Sequence, residues 1–98
     1  MRAVADTSMI CRQWLVSGRV QGVGFRWFVL REGGALSLDG TVRNLPDGRV
    51  EVVARGAAGV LDDLAARLRR GPRGARVSSL AEAPGHLHDT VNGFHVGY

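Results

Sequence analysis

The sequence predicts an α+β fold, a ferredoxin-like βαββαβ sandwich with a mainly antiparallel sheet and two helices on one face. Three observations carry this. Short apolar runs suited to strands alternate with two stretches whose apolar residues recur at helical spacing. A Leu-Pro-Asp-Gly turn joins two of the strands as a hairpin, which makes that pair antiparallel. At 98 residues the chain has room for one domain, whose modest core needs every periodic element.

Residues 1–10 read as a flexible N-terminal tail and residues 11–98 as the domain. Residues 13–17 (QWLVS) form the first strand, and a glycine-rich loop follows. From 23 to 36 the apolar residues Phe25, Phe28, Val29 and Leu36 keep helical spacing, with Trp27 and Leu30 widening the stripe. Gly33 and Gly34 should weaken this helix by about 1 kcal/mol each relative to alanine. Residues 40–44 and 49–55 are strands on either side of the turn at 45–48. Residues 60–70 form the second helix, with Val60, Leu61, Leu64 and Leu68 on one side. Asp62 and Asp63 are expected in its first turn, and Arg67, Arg69 and Arg70 in its last, as the helix dipole favours. Asp63 and Arg67 are spaced as an i,i+4 pair, and Gly71 with Pro72 ends the helix. A strand over 76–83, a loop over 84–92 and a closing strand over 93–98 complete the order. There is no internal repeat and no linker, so a free-standing, monomeric domain is expected.

Composition narrows the classes of function. Hydrophobic residues make up 45% and charged residues 22%, which suits a folded globular chain rather than a disordered one. No run approaches the roughly 20 apolar residues that span a bilayer, so no membrane partner is expected. The N-terminus lacks a secretory pattern, and Cys11 is the single cysteine, which precludes an internal disulfide. Both features suit a cytoplasmic protein. Cys11 reads as a plain strand residue, since no base lies at a recognisable spacing. The net charge is +4 and all 13 basic residues are arginine. Such a balance invites a nucleic-acid reading. The arginines are dispersed, however, and the strand at 49–55 carries none of the aromatic residues on which bases would stack, so no nucleic-acid partner is expected. His86 and His88 flank one residue, with Asp89 next. No further ligand pattern accompanies them, so a solvated loop is preferred to an adventitious metal site and no metal is expected. His95 is assigned no catalytic role.

The chemistry concentrates in GRVQGVGFR at 18–26. No Gly-Lys-Ser/Thr closes it, so it is not a Walker A loop. It lacks the last glycine and the parallel context of a dinucleotide fingerprint. A glycine-rich turn alone leaves an anion site and a structural turn equally open. Arg26 shifts the balance: near the first turn of the following helix, its planar fork can lie beside the anion that the backbone N–H groups hold.

With GTVRN at 40–44 and DGRVE at 47–51, this loop resembles the acylphosphatase family over residues 12–98. The resemblance implies hydrolysis of the carboxyl–phosphate bond of an acyl phosphate, with no metal or other cofactor; a small-molecule acyl phosphate is the expected substrate, and a phosphorylated protein carboxylate stays open beside it. Inorganic phosphate would be product and inhibitor. Carried over by position, Arg26 would bind the phosphate and Asn44 would orient the attacking water. The backbone amides of Gln21, Gly22, Val23, Gly24 and Phe25 would line the cradle with Arg26. The plainer readings stand beside these roles. Asn44 alone would be a turn residue, the Gln21 and Arg19 side chains would shape the loop, and Trp14, Trp27 and Phe28 would be packing residues. Two positions depart from the family pattern. Ser37 stands where glycine is usual, at a cost on the order of 1 kcal/mol if the backbone there is left-handed. Thr41 stands where an aromatic residue is common. The competing functions are a non-catalytic anion-binding module and an RNA-binding module.

Overall fold

The computed structural model describes residues 8–97, so most of the expected tail and Tyr98 lie outside the described residues. The elements are β1 (Ile10–Arg19), α1 (Phe25–Ala35), β2 (Asp39–Asn44), β3 (Val50–Gly56), α2 (Ala58–Arg70), β4 (Arg76–Pro84) and β5 (Phe94–Val96). The first six give the βαββαβ order, and the closing strand adds a seventh element. The sheet runs β4-β1-β3-β2-β5. Its pairs are antiparallel except β2 with β5, which is parallel.

Strand alternation sorts the side chains between the two faces. Trp14 and Val16 of β1, Val42 of β2, and Val50, Val52 and Ala54 of β3 are buried with Phe25, Phe28, Val29, Leu61, Leu64 and Leu68 of the helices. Trp14 is fully buried, and its indole N–H donates to Glu82 at 2.9 Å. The other face carries polar pairs across the strands, such as Gln13 and Arg43 donating to Glu51 at 3.0 and 2.8 Å.

β1 is longer than its apolar run because both neighbours pair with it; a register shift between Ser17 and Gly18 turns its end toward the glycine-rich loop. α2 starts at Ala58, two residues earlier than expected. Asp62 and Asp63 therefore lie beyond the first turn, which has no acidic residue. The expected Asp63–Arg67 pair is absent too. Arg67 reaches across to Glu32 of α1 at 3.1 Å, a less exposed carboxylate than any on its own helix face.

The two glycines of α1 differ. Gly34 faces open space, whereas a Cβ on Gly33 would overlap the ring of Phe94. The same ring lies over Gly40 of β2, so two missing side chains make the slot that seats β5. The connection from β4 to β5 crosses from one sheet edge to the other. Gly85 N–H donates to the Cys11 carbonyl, Arg55 donates to the carbonyls of His88 and Val91, and Gly93 N–H donates to Asp39 at 2.8 Å. His88 and His86 are exposed in this segment, and His88 Nδ1 accepts the Thr90 N–H at 3.2 Å. Cys11 is half-buried in β1; burial pushes its thiol up, the reverse of what a nucleophilic thiolate needs.

α1 ends in a Schellman motif, with Leu38 N–H on the Gly33 carbonyl and Ser37 N–H on that of Gly34, both at 3.0 Å. Ser37 takes the left-handed position at φ 57°, the only non-glycine among the described residues with positive φ. Ser37→Gly should therefore stabilise the fold by about 1 kcal/mol, which raises the melting midpoint by about 4–8 °C in a domain of this size; thermal unfolding of the two proteins checks this.

Asp39 begins β2, at the other end of that strand from Asn44. The Gly93 N–H, and then the hydrogen bond and charge of Arg55, hold its carboxyl below the ordinary 3.8. A depressed folded-state value means that its contribution is complete above about pH 4 and is lost as the pH falls further. Asp39→Asn should lower denaturant stability at pH 7 and flatten the decline below pH 4; parallel slopes in the two proteins would count against this.

Candidate active site

The glycine-rich loop and the turn between β2 and β3 meet at the end of the sheet where β1 and β2 finish. Residues 21–24 form the turn, and Gly24 caps α1 in the left-handed region at φ 79°. The first helical hydrogen bond runs from Phe28 N–H to the Gly24 carbonyl at 3.0 Å. The helix therefore makes no use of the N–H groups of Phe25, Arg26 and Trp27, and no side chain caps them. Their partial positive charge faces the cleft with Arg26 in the same turn.

The turn opposite is tightly specified. Leu45 N–H donates to the Arg49 carbonyl at 2.8 Å and Gly48 N–H to the Leu45 carbonyl at 3.1 Å. Asp47 accepts from the Arg49 N–H at 3.1 Å and from its guanidinium at 2.8 Å, and that backbone N–H is the main cause that holds the Asp47 carboxyl below its usual value. The Gln21 side chain joins loop to turn. Its amide nitrogen donates to the carbonyls of Leu45 and Arg49, at 2.8 and 2.9 Å.

Between them lies an open cleft of about 330 Å³ lined by Val20, Gly22, Gly24, Phe25, Arg26, Trp27, Leu30, Asn44 and Val96. Arg26 and Asn44, which are 18 residues apart in sequence, thus reach one cavity from a helix and a strand end. Among the described residues Arg26 forms no ion pair and no hydrogen bond, and the Asn44 amide has no partner; both are free to meet a ligand. Six other arginines, including Arg43 and Arg55, are tied to carboxylates. An unclaimed guanidinium, helix-terminal N–H groups and an amide can together hold a tetrahedral anion and position a water beside it.

Of the residues expected in the cradle, Gly22, Gly24, Phe25 and Arg26 line the cleft. Gln21 and Val23 do not: the Gln21 side chain makes the clamp, and Val23 packs against the core. Trp27, Leu30 and Val96 line the cleft without having been singled out for it. Trp27 and Leu30 had a signal, a tryptophan next to Arg26 and a leucine one turn on. Val96 had none, because its place depends on the parallel pairing of β5 with β2. His86, His88 and Asp89 lie in the segment on the far end of the sheet, and no group of three metal-ligating side chains occurs among the described residues.

A family model described as acylphosphatase matches residues 12–96. The chain is 55% identical over 69 residues to an acylphosphatase of Koribacter versatilis, a match that covers 70% of this chain and 63% of that relative. It is 48% identical over 82 residues to an acylphosphatase of Thermus thermophilus, covering 84% of this chain and 92% of the relative. The crystal structure of the acylphosphatase from Bacillus subtilis superposes with a TM-score of 0.85 at 32% identity, covering 93% of this chain and 100% of that one. No described helix is long and apolar enough to cross a membrane.

The Gln21 clamp should be sensitive to what its side chain can donate. An ionised carboxylate only accepts hydrogen bonds, so Gln21→Glu places an acceptor against two carbonyls. At pH 7 Gln21→Glu should lose more activity and stability than Gln21→Ala, by about 1–2 kcal/mol, and recover part of both toward pH 5. Equal behaviour of the two variants at both pH values would remove the clamp from the account.

Proposed function

The chain belongs to the acylphosphatase family, whose activity is hydrolysis of acyl phosphates, and we propose that it carries out this reaction with Arg26 as phosphate ligand and Asn44 as the residue that orients water. The observation that carries the residue assignment is that Arg26 and Asn44, both unpartnered among the described residues, line one cleft at the N-terminus of α1. The substrate is a small-molecule acyl phosphate, and the products are a carboxylate and inorganic phosphate.

The reaction asks little of the protein beyond position and charge. The leaving carboxylate has a conjugate acid with a pKa of about 4, so it departs at neutral pH without a proton. No general acid is needed, and among the described residues no carboxylate, histidine or cysteine lines the cleft. The phosphoryl group spreads its charge over three oxygens in the transition state, with the attacking and leaving oxygens in line. Arg26 and the helix-terminal N–H groups, with those of the preceding turn, meet those oxygens. Asn44 takes the water by its amide and aims it at phosphorus from the strand side. An amide is too weak a base to remove the water's proton, which passes to a phosphoryl oxygen of the substrate. The reaction needs no metal in this scheme. Inorganic phosphate, which presents the same oxygens, inhibits by occupying the Arg26 subsite. We place the protein in the cytoplasm as a monomer without a nucleic-acid partner, in keeping with its single cysteine and its one small domain.

Release of phosphate from a synthetic acyl phosphate in the presence of a chelator tests the scheme. Activity should persist with chelator. Arg26→Ala should lose turnover by a factor of about 10²–10³, the scale of removing a preorganised charge donor, together with inhibition by phosphate. Asn44→Ala should lose turnover to a similar extent but keep phosphate inhibition. If both variants lose phosphate binding equally, the division between the two residues is wrong.

A further inference from the structure

The cleft is larger than a phosphoryl group requires, and apolar side chains share its lining. Beside Arg26 and Asn44 it is lined by Trp27, Leu30 and Val96. Trp27 is 64% exposed, whereas the other tryptophan, Trp14, is fully buried. Trp27 and Leu30 stand one helical turn apart on α1, so they share a face. Val96 joins them from β5, which runs parallel to β2 with Val96 opposite Val42, two residues before Asn44. The strand is seated by Phe94 over Gly33 and Gly40.

The indole is also braced. The Arg31 guanidinium lies over the Trp27 ring, 5.3 Å from its centroid, and is itself held by Glu32 at 3.2 Å. A side chain fixed in this way loses little freedom when a ligand packs on it. The indole is thus an exposed apolar surface held in place at the cleft, where a ligand's organic group can pack on it.

We infer that Trp27, with Leu30 and Val96, is the wall that reads the acyl group, so that the site selects aryl and branched-alkyl acyl phosphates over acetyl phosphate. This rests on the acyl phosphate reading of the same cleft. Arg26 pins the phosphoryl end, which presents the organic group to the residue next along the helix. An acetyl group offers one methyl to the wall, whereas a benzoyl ring can pack on the indole, at a gain of the order found for aromatic pairs.

The test compares benzoyl phosphate with acetyl phosphate in steady-state hydrolysis by the wild type, Trp27→Ala and Trp27→Phe. The wild type should favour benzoyl phosphate in kcat/KM. Trp27→Ala should cut the benzoyl-to-acetyl ratio about three- to tenfold, through KM rather than kcat, and Trp27→Phe should restore most of it. The inhibition constant of inorganic phosphate, which has no organic group, should move less than twofold. A second measurement needs no variant: phenylphosphonate should inhibit the wild type at least three times more tightly than methylphosphonate. A ratio unchanged in Trp27→Ala, or equal inhibition by the two phosphonates, overturns the role of Trp27 and leaves the hydrolase reading intact. Failure of the wild type to hydrolyse either acyl phosphate overturns both.

Discussion

The two hydrogen bonds from the Gln21 amide to the carbonyls of Leu45 and Arg49 join the halves of the site. The loop that carries the cradle has two glycines with positive φ, at 76° for Gly22 and 79° for Gly24. Such a segment has much conformational freedom to lose. Asn44 has the converse problem: it ends a strand just before a turn, where the ladder stops giving support. One primary amide with two N–H groups reaches both carbonyls that close the turn, so the loop is ordered against the element that holds Asn44. Bonds of this kind stabilise by about 1 kcal/mol each. Their greater effect is geometric, because they set the distance across which phosphate and water must face each other.

Much of this arrangement was legible in the residues. Helical and strand periodicity located all seven elements, and the Asp-Gly turn located the hairpin. The cost expected at Ser37 has its cause in a left-handed backbone, φ 57°. What stayed hidden depends on contacts between distant segments. The i,i+4 spacing of Asp63 and Arg67 carried no knowledge of Glu32, which the packing of α1 against α2 brings within 3.1 Å of Arg67. Gly33 read as a weak point in a helix, because nothing local shows that Phe94 will occupy the space of its missing side chain. For the site, Arg26 and Asn44 could be named because two short motifs together carry the family resemblance, and both residues line the one cleft. Trp27 of the cleft wall adjoins Arg26 in the sequence, but Val96 could not be named, because its place needs β5 paired beside β2.

The arginine-rich composition divides by position in the same way. Several within the sheet and between the helices are paired, among them Arg43 with Glu51, Arg55 with Asp39, and Arg67 with Glu32. These pairs knit strand to strand and helix to helix, so a basic sequence need not mean a polyanionic partner. Pairs at partly exposed positions contribute little individually. Their importance here is that Arg55 also anchors the segment between β4 and β5. That anchor fixes β5 from its start, and β5 in turn delivers Val96 to the cleft at the opposite end of the sheet.

Both helices lack a side-chain cap at their N-terminus, with Gly24 before α1 and Ala57 before α2. A serine or aspartate at such a position commonly stabilises a helix by about 1 kcal/mol. The absence of a cap is therefore not in itself a sign of function; before α2 it is only a small loss of stability. Before α1 the same absence has a different consequence. An aspartate there would satisfy the free N–H groups with its own carboxylate and place a negative charge beside Arg26, where the substrate's phosphoryl oxygens must go. Gly24 avoids this while giving the left-handed turn that aims the loop amides. Ser37, at the other end of α1, accepts a left-handed backbone with no ligand near it. The two ends of one helix thus separate a left-handed position that the proposed chemistry uses, occupied by glycine without strain, from one that it does not use and where serine is strained.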